Sequence, residues 1–208
     1  MDERWRTLVA LAETQHGAFV TRQARTLGID GGWLQRAQRD ERICRLWRGA
    51  FGVLGHLDEW TPMAATQLSV PRAVATARAA AVLHGLDGVD AVAMDVLVPR
   101  NVSWRGELVT RADDLVVPEI VVVDGLRCTD EVRTVIELGR LVDPSDLERA
   151  IDSLLRRRPD AEALLDDRAR ALARRGKAGP RAVLHALAVR RWSRHLRDGG
   201  EHVVVARV

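Results

Sequence analysis

Between Gly17 and Leu54 the chain reads GAFVTRQARTLGIDGGWLQRAQRDERICRLWRGAFGVL, and the punctuation of that stretch leaves few ways to fold it. Ala18-Phe19-Val20 is long enough only for a small strand. Thr21 is a good N-cap for a helix over 22–27, and Gly28 stands where such a helix should stop. Asp30 then caps a second helix over about 31–40. Ile43, Leu46, Phe51 and Val53 are strand-like apolar positions, with Gly49 marking a turn or bulge between two strands. Upstream, Trp5, Leu8, Val9 and Ala12 form one apolar stripe and predict a helix over 2–14, with Asp2 and Glu3 in its first turn where the dipole favours negative charge. Helix, strand, two short helices and an arginine-bearing hairpin follow one another in the order of a winged helix-turn-helix, a module that inserts one helix into a DNA groove.

The second short helix has the faces such a module needs. At about 100° per residue, Leu34 and Ala37 fall on one side, and Gly32, Gln35, Arg36 and Arg39 on the other. Arginine can fork onto guanine O6 and N7, and glutamine can pair with adenine N6 and N7, so Gln35, Arg36 and Arg39 are the expected base readers. A plain solvated helix face would show the same pattern. Trp33, at the flank, is expected to pack. Arg42, Arg45 and Arg48 recur every third residue, which suits a wing lying along phosphates, and Arg22 is expected to join them. Cys44 reads as a small buried hydrophobe.

Charge along the chain is segregated. Residues 1–55 hold nine basic and six acidic side chains, residues 56–145 eight and fourteen, and residues 146–208 fifteen and nine. Two basic ends therefore flank an acidic middle, which suggests two surfaces suited to a polyanion. At 208 residues the chain can bury a sizeable core as one large domain or two modest ones. No apolar run approaches the roughly 20 residues that span a bilayer, and the first residues lack a basic segment followed by an apolar one. Two distant cysteines, Cys44 and Cys128, make no disulfide framework, so a reducing cytoplasm is the expected home.

Beyond residue 58 a second, larger domain is expected. Residues 61–86 predict two helices, the first opened by Pro62, with Val70-Pro71 between them and Gly85 as the stop. Residues 91–98 and 105–111 predict strands, separated by a loop with Asn101, Ser103 and Trp104. Residues 119–128 read as strand, tight turn at Asp124-Gly125, and strand. Thr129 should cap a helix burying Val132, Val135, Ile136 and Leu138. Further helices are expected over 145–157, over 160–174 with Leu164, Leu165, Ala169 and Leu172 inward, and over 180–197 with Val183, Leu184, Leu187 and Trp192 inward. A short strand over 202–208 closes the prediction. Arg181, Arg190, Arg191, Arg194 and Arg197 mark the last helix as a second phosphate surface, a docking face for an acidic protein, or a solvated end.

Several segments, in order, resemble the AbiEi-type antitoxins. In that family a GxVT strand leads through two helices to an R-x-x-RG-x-Y/F-x-V/L wing, and Gly17 to Thr21, Arg45 and Arg48 to Val53 are similar to it. Ala79 to Leu86 resembles the family's SAAxLHGL segment. Val123-Asp124-Gly125, Thr129, Arg133-Thr134, Leu138 and Arg140 align with its VDGxxxTxxxRTxxDLxR signature, although Glu137 replaces the aspartate and Gly139 a usual alanine. The resemblance covers about residues 5–175. It implies an α+β protein: a winged helix-turn-helix over 1–57 and, over 58–208, a mixed α/β antitoxin domain with a small sheet and a helical C-terminal part. It implies further that the protein binds inverted repeats in its own promoter as a repressor, and counters a nucleotidyltransferase-like toxin without needing a stable complex. A stand-alone regulator, or an antitoxin that grips its toxin through the C-terminal domain, are the alternatives.

Catalytic signatures are missing from the sequence. It has no phosphate-binding Gly-rich loop, HExxH, GxSxG or paired-cysteine site, and Asp198 and Glu201 do not supply the D…E-x-K of a nuclease. His84 has no acidic or cysteine partner at motif spacing and reads as structural, and Arg133 as a tether. No enzyme activity, cofactor, metal or membrane partner is expected.

Overall fold

The computed structural model describes residues 3–89, 94–98, 109–111, 115–173 and 178–204. The fold is mixed α+β with two small sheets among the described residues, and the chain gathers into two compact units. One comprises residues 1–75 and 92–128, the other 76–91 and 129–208. The units therefore do not part at residue 57, because the helix that follows it packs against the N-terminal sheet.

In the first unit, α1 (Glu3–Glu13), β1 (Ala18–Val20), α2 (Thr21–Thr26), α3 (Gly31–Arg39), β2 (Ile43–Trp47) and β3 (Ala50–Val53) succeed one another. The three strands form an antiparallel sheet in the order β1-β3-β2, with Phe19 opposite Phe51 and Ile43 opposite Val53. A bulge between Arg45 and Trp47 twists the hairpin just before its Arg48-Gly49 turn. Trp5, Leu8 and Ala12 of α1, as their spacing predicts, meet Phe19, Leu34 and Phe51 in one core, where Phe19 and Phe51 stack at 5.4 Å. The cap of α2 is Val20, not Thr21. Val20 is extended and its N–H donates to the Gln23 side chain at 3.0 Å, while Thr21 turns its hydroxyl to the Gly49 carbonyl.

α4 (Thr61–Ser69), opened by Pro62, covers β1 and β3. The expected second helix over 72–86 is broken: β4 (Val74–Ala75) precedes α5 (Ala77–Leu83). Alanine-rich helix propensity yields there to sheet pairing, since β4 is hydrogen-bonded on both sides. β5 (Val96–Val98) runs antiparallel to it, with Ala75 opposite Val96, and β8 (Leu126–Thr129) parallel, with Ala75 opposite Cys128. β6 (Val109–Arg111) pairs parallel to β5, and β7 (Ile120–Val123) completes the order β6-β5-β4-β8-β7. The expected strands over 91–98 and 105–111 thus survive as β5 and β6; residues 91–93 and 105–108, and the loop with Asn101, Ser103 and Trp104, lie outside the described residues. Asp124 and Gly125 both take positive φ, 48° and 73°, which is the requirement of the two-residue hairpin turn that the Asp-Gly pair predicts.

The second unit is helical: α5, α6 (Glu131–Leu138), α7 (Pro144–Arg157), α8 (Ala161–Ala173) and α9 (Ala178–Val204). Asp130, rather than Thr129, caps α6, its carboxylate accepting from Arg133 N at 2.7 Å, because Thr129 is still paired in β8. Val132, Val135, Ile136 and Leu138 are buried as predicted. Arg133 is fully buried, with Nε at 3.0 Å and Nη2 at 2.7 Å from one oxygen of Glu137, a residue itself only 5% exposed. Glu137 is therefore the partner of Arg133 one helical turn away. Gly139 is explained by proximity as well. A Cβ there would stand 2.6 Å from the Gly179 carbonyl oxygen, and one on Gly179 would collide with the Ile136 carbonyl, so α6 and α9 meet backbone to backbone.

Two expected inward residues point out. Leu164 lies off the stripe of Ala161, Leu165, Ala169 and Leu172, and Trp192 lies about 140° round the helix from buried Leu187. They are 45% and 63% exposed. The expected strand over 202–208 is also replaced: α9 continues through Val204, with intrahelical bonding carried across Gly199-Gly200, and residues 205–208 lie outside the described residues.

Candidate nucleic-acid interface

α3 begins at Asp30, whose side chain accepts from Trp33 N at 2.7 Å and so satisfies one of the helix's free N-terminal donors. Leu34 and Ala37, 4% and 3% exposed, fix the helix against the core and set its rotation about its own axis. That rotation leaves Gln35, Arg36 and Arg39 exposed together, with Gly32 leaving the face low at its start. Arg22 is exposed in the first turn of α2, and Arg45 and Arg48 on the β2–β3 hairpin. Arg45 Nε donates to the Trp47 carbonyl at 3.3 Å across the bulge, which steadies the hairpin without neutralising the charge. Among the described residues, none of Arg22, Arg36, Arg39, Arg45 and Arg48 has a carboxylate partner.

Arg42 stands apart from this group. It is half-buried, and its guanidinium lies 4.0 Å over the Trp5 ring and 5.9 Å from the Trp33 ring, while the two indoles approach to 5.8 Å. The face of Arg42 is therefore committed to joining α1 to α3, a contact of about 0.5–1 kcal/mol at such a site. Trp33 packs, as its flank position predicts. Cys44 is half-buried and Cys128 buried, and neither is in a disulfide.

The second expected basic surface is largely cancelled from within. Arg190 pairs with Asp152 of α7. Arg191 reaches Glu162 at 3.2 Å and Asp166 at 2.8 Å, and Arg194 reaches Glu162 at 2.7 Å, both acids being on α8. Burial pushes the Glu162 carboxyl up, but the hydrogen bonds from Arg194 and Arg191 outweigh it and hold the group below the usual carboxylate range. Asp166 is held low by Arg170 first and by Arg191 as well. Arg181 and Arg197 remain exposed without a carboxylate partner among the described residues. The acids of two neighbouring helices thus absorb three of the five arginines.

His16 is a site residue that sequence reasoning passed over. Its Nδ1 lies 2.8 Å from Asp58 Oδ2 and its Nε2 2.8 Å from the Asp124 carbonyl. Both partners can only accept, so only the doubly protonated ring satisfies both. Burial works against the charge, but the Asp124 carbonyl and the Asp58 carboxylate raise the His16 pKa above its ordinary value. A raised folded-state pKa contributes stability fully below the unfolded value of about 6.5, and that contribution is lost as pH rises through the folded value. Urea unfolding followed from about pH 6 to about pH 9 should show the midpoint falling across this window. The His16→Gln variant should lack that component, and an identical pH profile in the variant would remove His16 as its source. Sequence carried no sign of this clamp, because its partners lie 42 and 108 residues away. His84 is structural, as expected: its Nε2 meets the Thr129 carbonyl at 2.7 Å.

No protein-family model matches the chain, and no curated protein matches it. Among the described residues no helix is long and apolar enough to cross a membrane, and no cluster of histidine, cysteine or acidic side chains could hold a metal ion.

Proposed function

We propose that residues 3–54 are a winged helix-turn-helix and that the protein is a DNA-binding antitoxin of the AbiEi kind, repressing its own promoter and countering a nucleotidyltransferase-like toxin. The observation that carries the DNA reading is the outer face of α3, where Gln35, Arg36 and Arg39 stand exposed with no carboxylate among the described residues to claim the two guanidiniums. The element order and the β2–β3 hairpin with Arg45 and Arg48 support it, the hairpin serving as the wing on phosphates and α3 as the reading helix. Arg22 adds a phosphate contact at the start of α2. Inverted repeats would seat two copies, each reading one half-site. Catalysis has no part in this function.

The antitoxin half rests on the family resemblance of the segments after residue 58. The pairing of Arg190, Arg191 and Arg194 with acids of the same unit favours neutralisation without a stable complex over a basic toxin-docking face. A gel shift at low salt, with duplex from immediately upstream of the coding sequence, tests the first half: a retained band is expected, and a probe that runs free overturns it. The second half predicts an adjacent gene for a nucleotidyltransferase-like toxin, and co-expression of the two tests it. Growth should be rescued, and a toxin that still kills would leave a stand-alone regulator.

A further inference from the structure

A cavity of about 340 Å³ in the first unit opens among the α1–β1 turn, the start of α2, the end of α4 and the β7–β8 hairpin. Its lining carries Arg22 and Arg127, with His16 already paired to Asp58, and no carboxylate among the described residues, in a chain with 29 acidic residues. Arg127, half-buried on β8, donates through Nη1 to the Pro71 carbonyl and through Nη2 to the Gln67 carbonyl at 3.2 Å. Those bonds aim the guanidinium without neutralising it, and no carboxylate pairs with it among the described residues. Burial alone lowers its pKa, with no acid to offset the cost of desolvation. A guanidinium has five N–H groups, so others remain for a ligand. The amides nearby are already spent: Gln67 is bonded to both backbone groups of Arg127, and Gln15 to the Ala18 carbonyl and to Gln23. The acids near His16, which are Glu13, Asp58 and Asp124, line an adjoining cavity together with His56; it shares Thr14, His16 and Gly125 with the first, and Asp58 there is bonded to His16.

A partly desolvated cation that lacks a counter-ion calls for an anion. We propose that this cavity seats a backbone phosphate of the bound duplex between Arg127 and Arg22, extending the DNA footprint from the reading module onto the β7–β8 hairpin. The inference rests on the DNA-binding reading above and names a contact that reading does not contain. Arg22 links the two, being at once a phosphate contact of α2 and a wall of the cavity. The contact carries no sequence information, so it adds affinity and salt dependence uniformly across sites.

Fluorescence anisotropy of a labelled upstream duplex, repeated over a salt series, tests the assignment. Thr14 is exposed on the cavity rim. Thr14→Glu should weaken binding and Thr14→Lys should tighten it, a reversal of sign that a packing defect cannot produce. Arg127→Gln should make the dependence of log K on log salt shallower by about one unit, the signature of one phosphate lost. Wild-type slopes in Arg127→Gln, with both Thr14 variants unchanged or shifted in the same direction, overturn the proposal while the DNA reading stands. A wild-type protein that binds no duplex removes that reading, and the proposal with it. Calorimetric titration with inorganic phosphate at fixed ionic strength is the second arm. Heat that Thr14→Glu abolishes, with DNA slopes unmoved, would assign the cavity to free phosphate and overturn the duplex assignment.

Discussion

An Arg36→Ala/Arg39→Ala double variant is expected to lose its promoter. Each guanidinium that forks onto a guanine edge discriminates by about 1–3 kcal/mol, so removing two costs about 2–6 kcal/mol, or roughly 30-fold to 10⁴-fold in Kd. Both side chains are exposed and without a carboxylate partner among the described residues, so their removal strands no buried charge and opens no cavity. Circular dichroism and the melting temperature should therefore match the wild type. The loss should also be selective: binding to random duplex should fall much less than binding to the promoter. Arg48→Ala on the hairpin should behave in the opposite way, weakening all sequences alike and lowering the salt slope by about one. A promoter shift unchanged in the double variant would show that α3 does not face the bases.

The largest stability effect belongs to Glu137. Arg133 is fully buried, and Glu137 brings both Nε and Nη2 to a single oxygen within 3.0 Å. Removing one partner of a buried pair typically costs about 3–5 kcal/mol, because the remaining charge keeps its desolvation penalty and loses its attraction. Against a total of about 5–15 kcal/mol that is a large fraction of the fold. Glu137→Ala should lower the melting temperature of this unit by about 6–20 °C, taking about 2–4 °C per kcal/mol for a chain of this size. Replacing both partners with apolar residues, Arg133→Met with Glu137→Leu, should restore most of the loss, since no charge is then left buried. Glu137→Ala melting with the wild type would mean that the pair contributes nothing. Because α6 and α3 belong to different compact units, the proposed promoter binding at low temperature should be untouched by either change.

What the sequence made legible was what depends on near neighbours. The Trp5-Leu8-Ala12 stripe, the Asp30 cap and the Asp124-Gly125 turn each act within a few residues, and each stands where it was expected. The errors arise where distant partners decide. Val74-Ala75 looks helical beside an alanine run, and becomes a strand only because Leu97 and Cys128 arrive to pair with it. Thr129 loses its cap to Asp130 for the same reason. The exposed arginines of α3 were visible as a pattern, but their having no carboxylate partner among the described residues was not. The arginines of α9 gave the same pattern and proved to be largely paired, and only the placement of Glu162, Asp152 and Asp166 separates the two cases.

The register that joins Ala75 to Cys128 bears on how the chain comes off the ribosome. The strand pairs of β1, β2 and β3 end at Val53, so they can form early in synthesis, before α4 arrives to cover them. β4, only two residues long, can pair with β5 about twenty residues on, but its other edge must wait for β8, more than fifty residues later. At about 5–20 residues per second that is a delay of several seconds with one edge of the strand open. The strand pairs of the proposed promoter-reading module would thus be in place on the nascent chain while the rest of the protein is still being made.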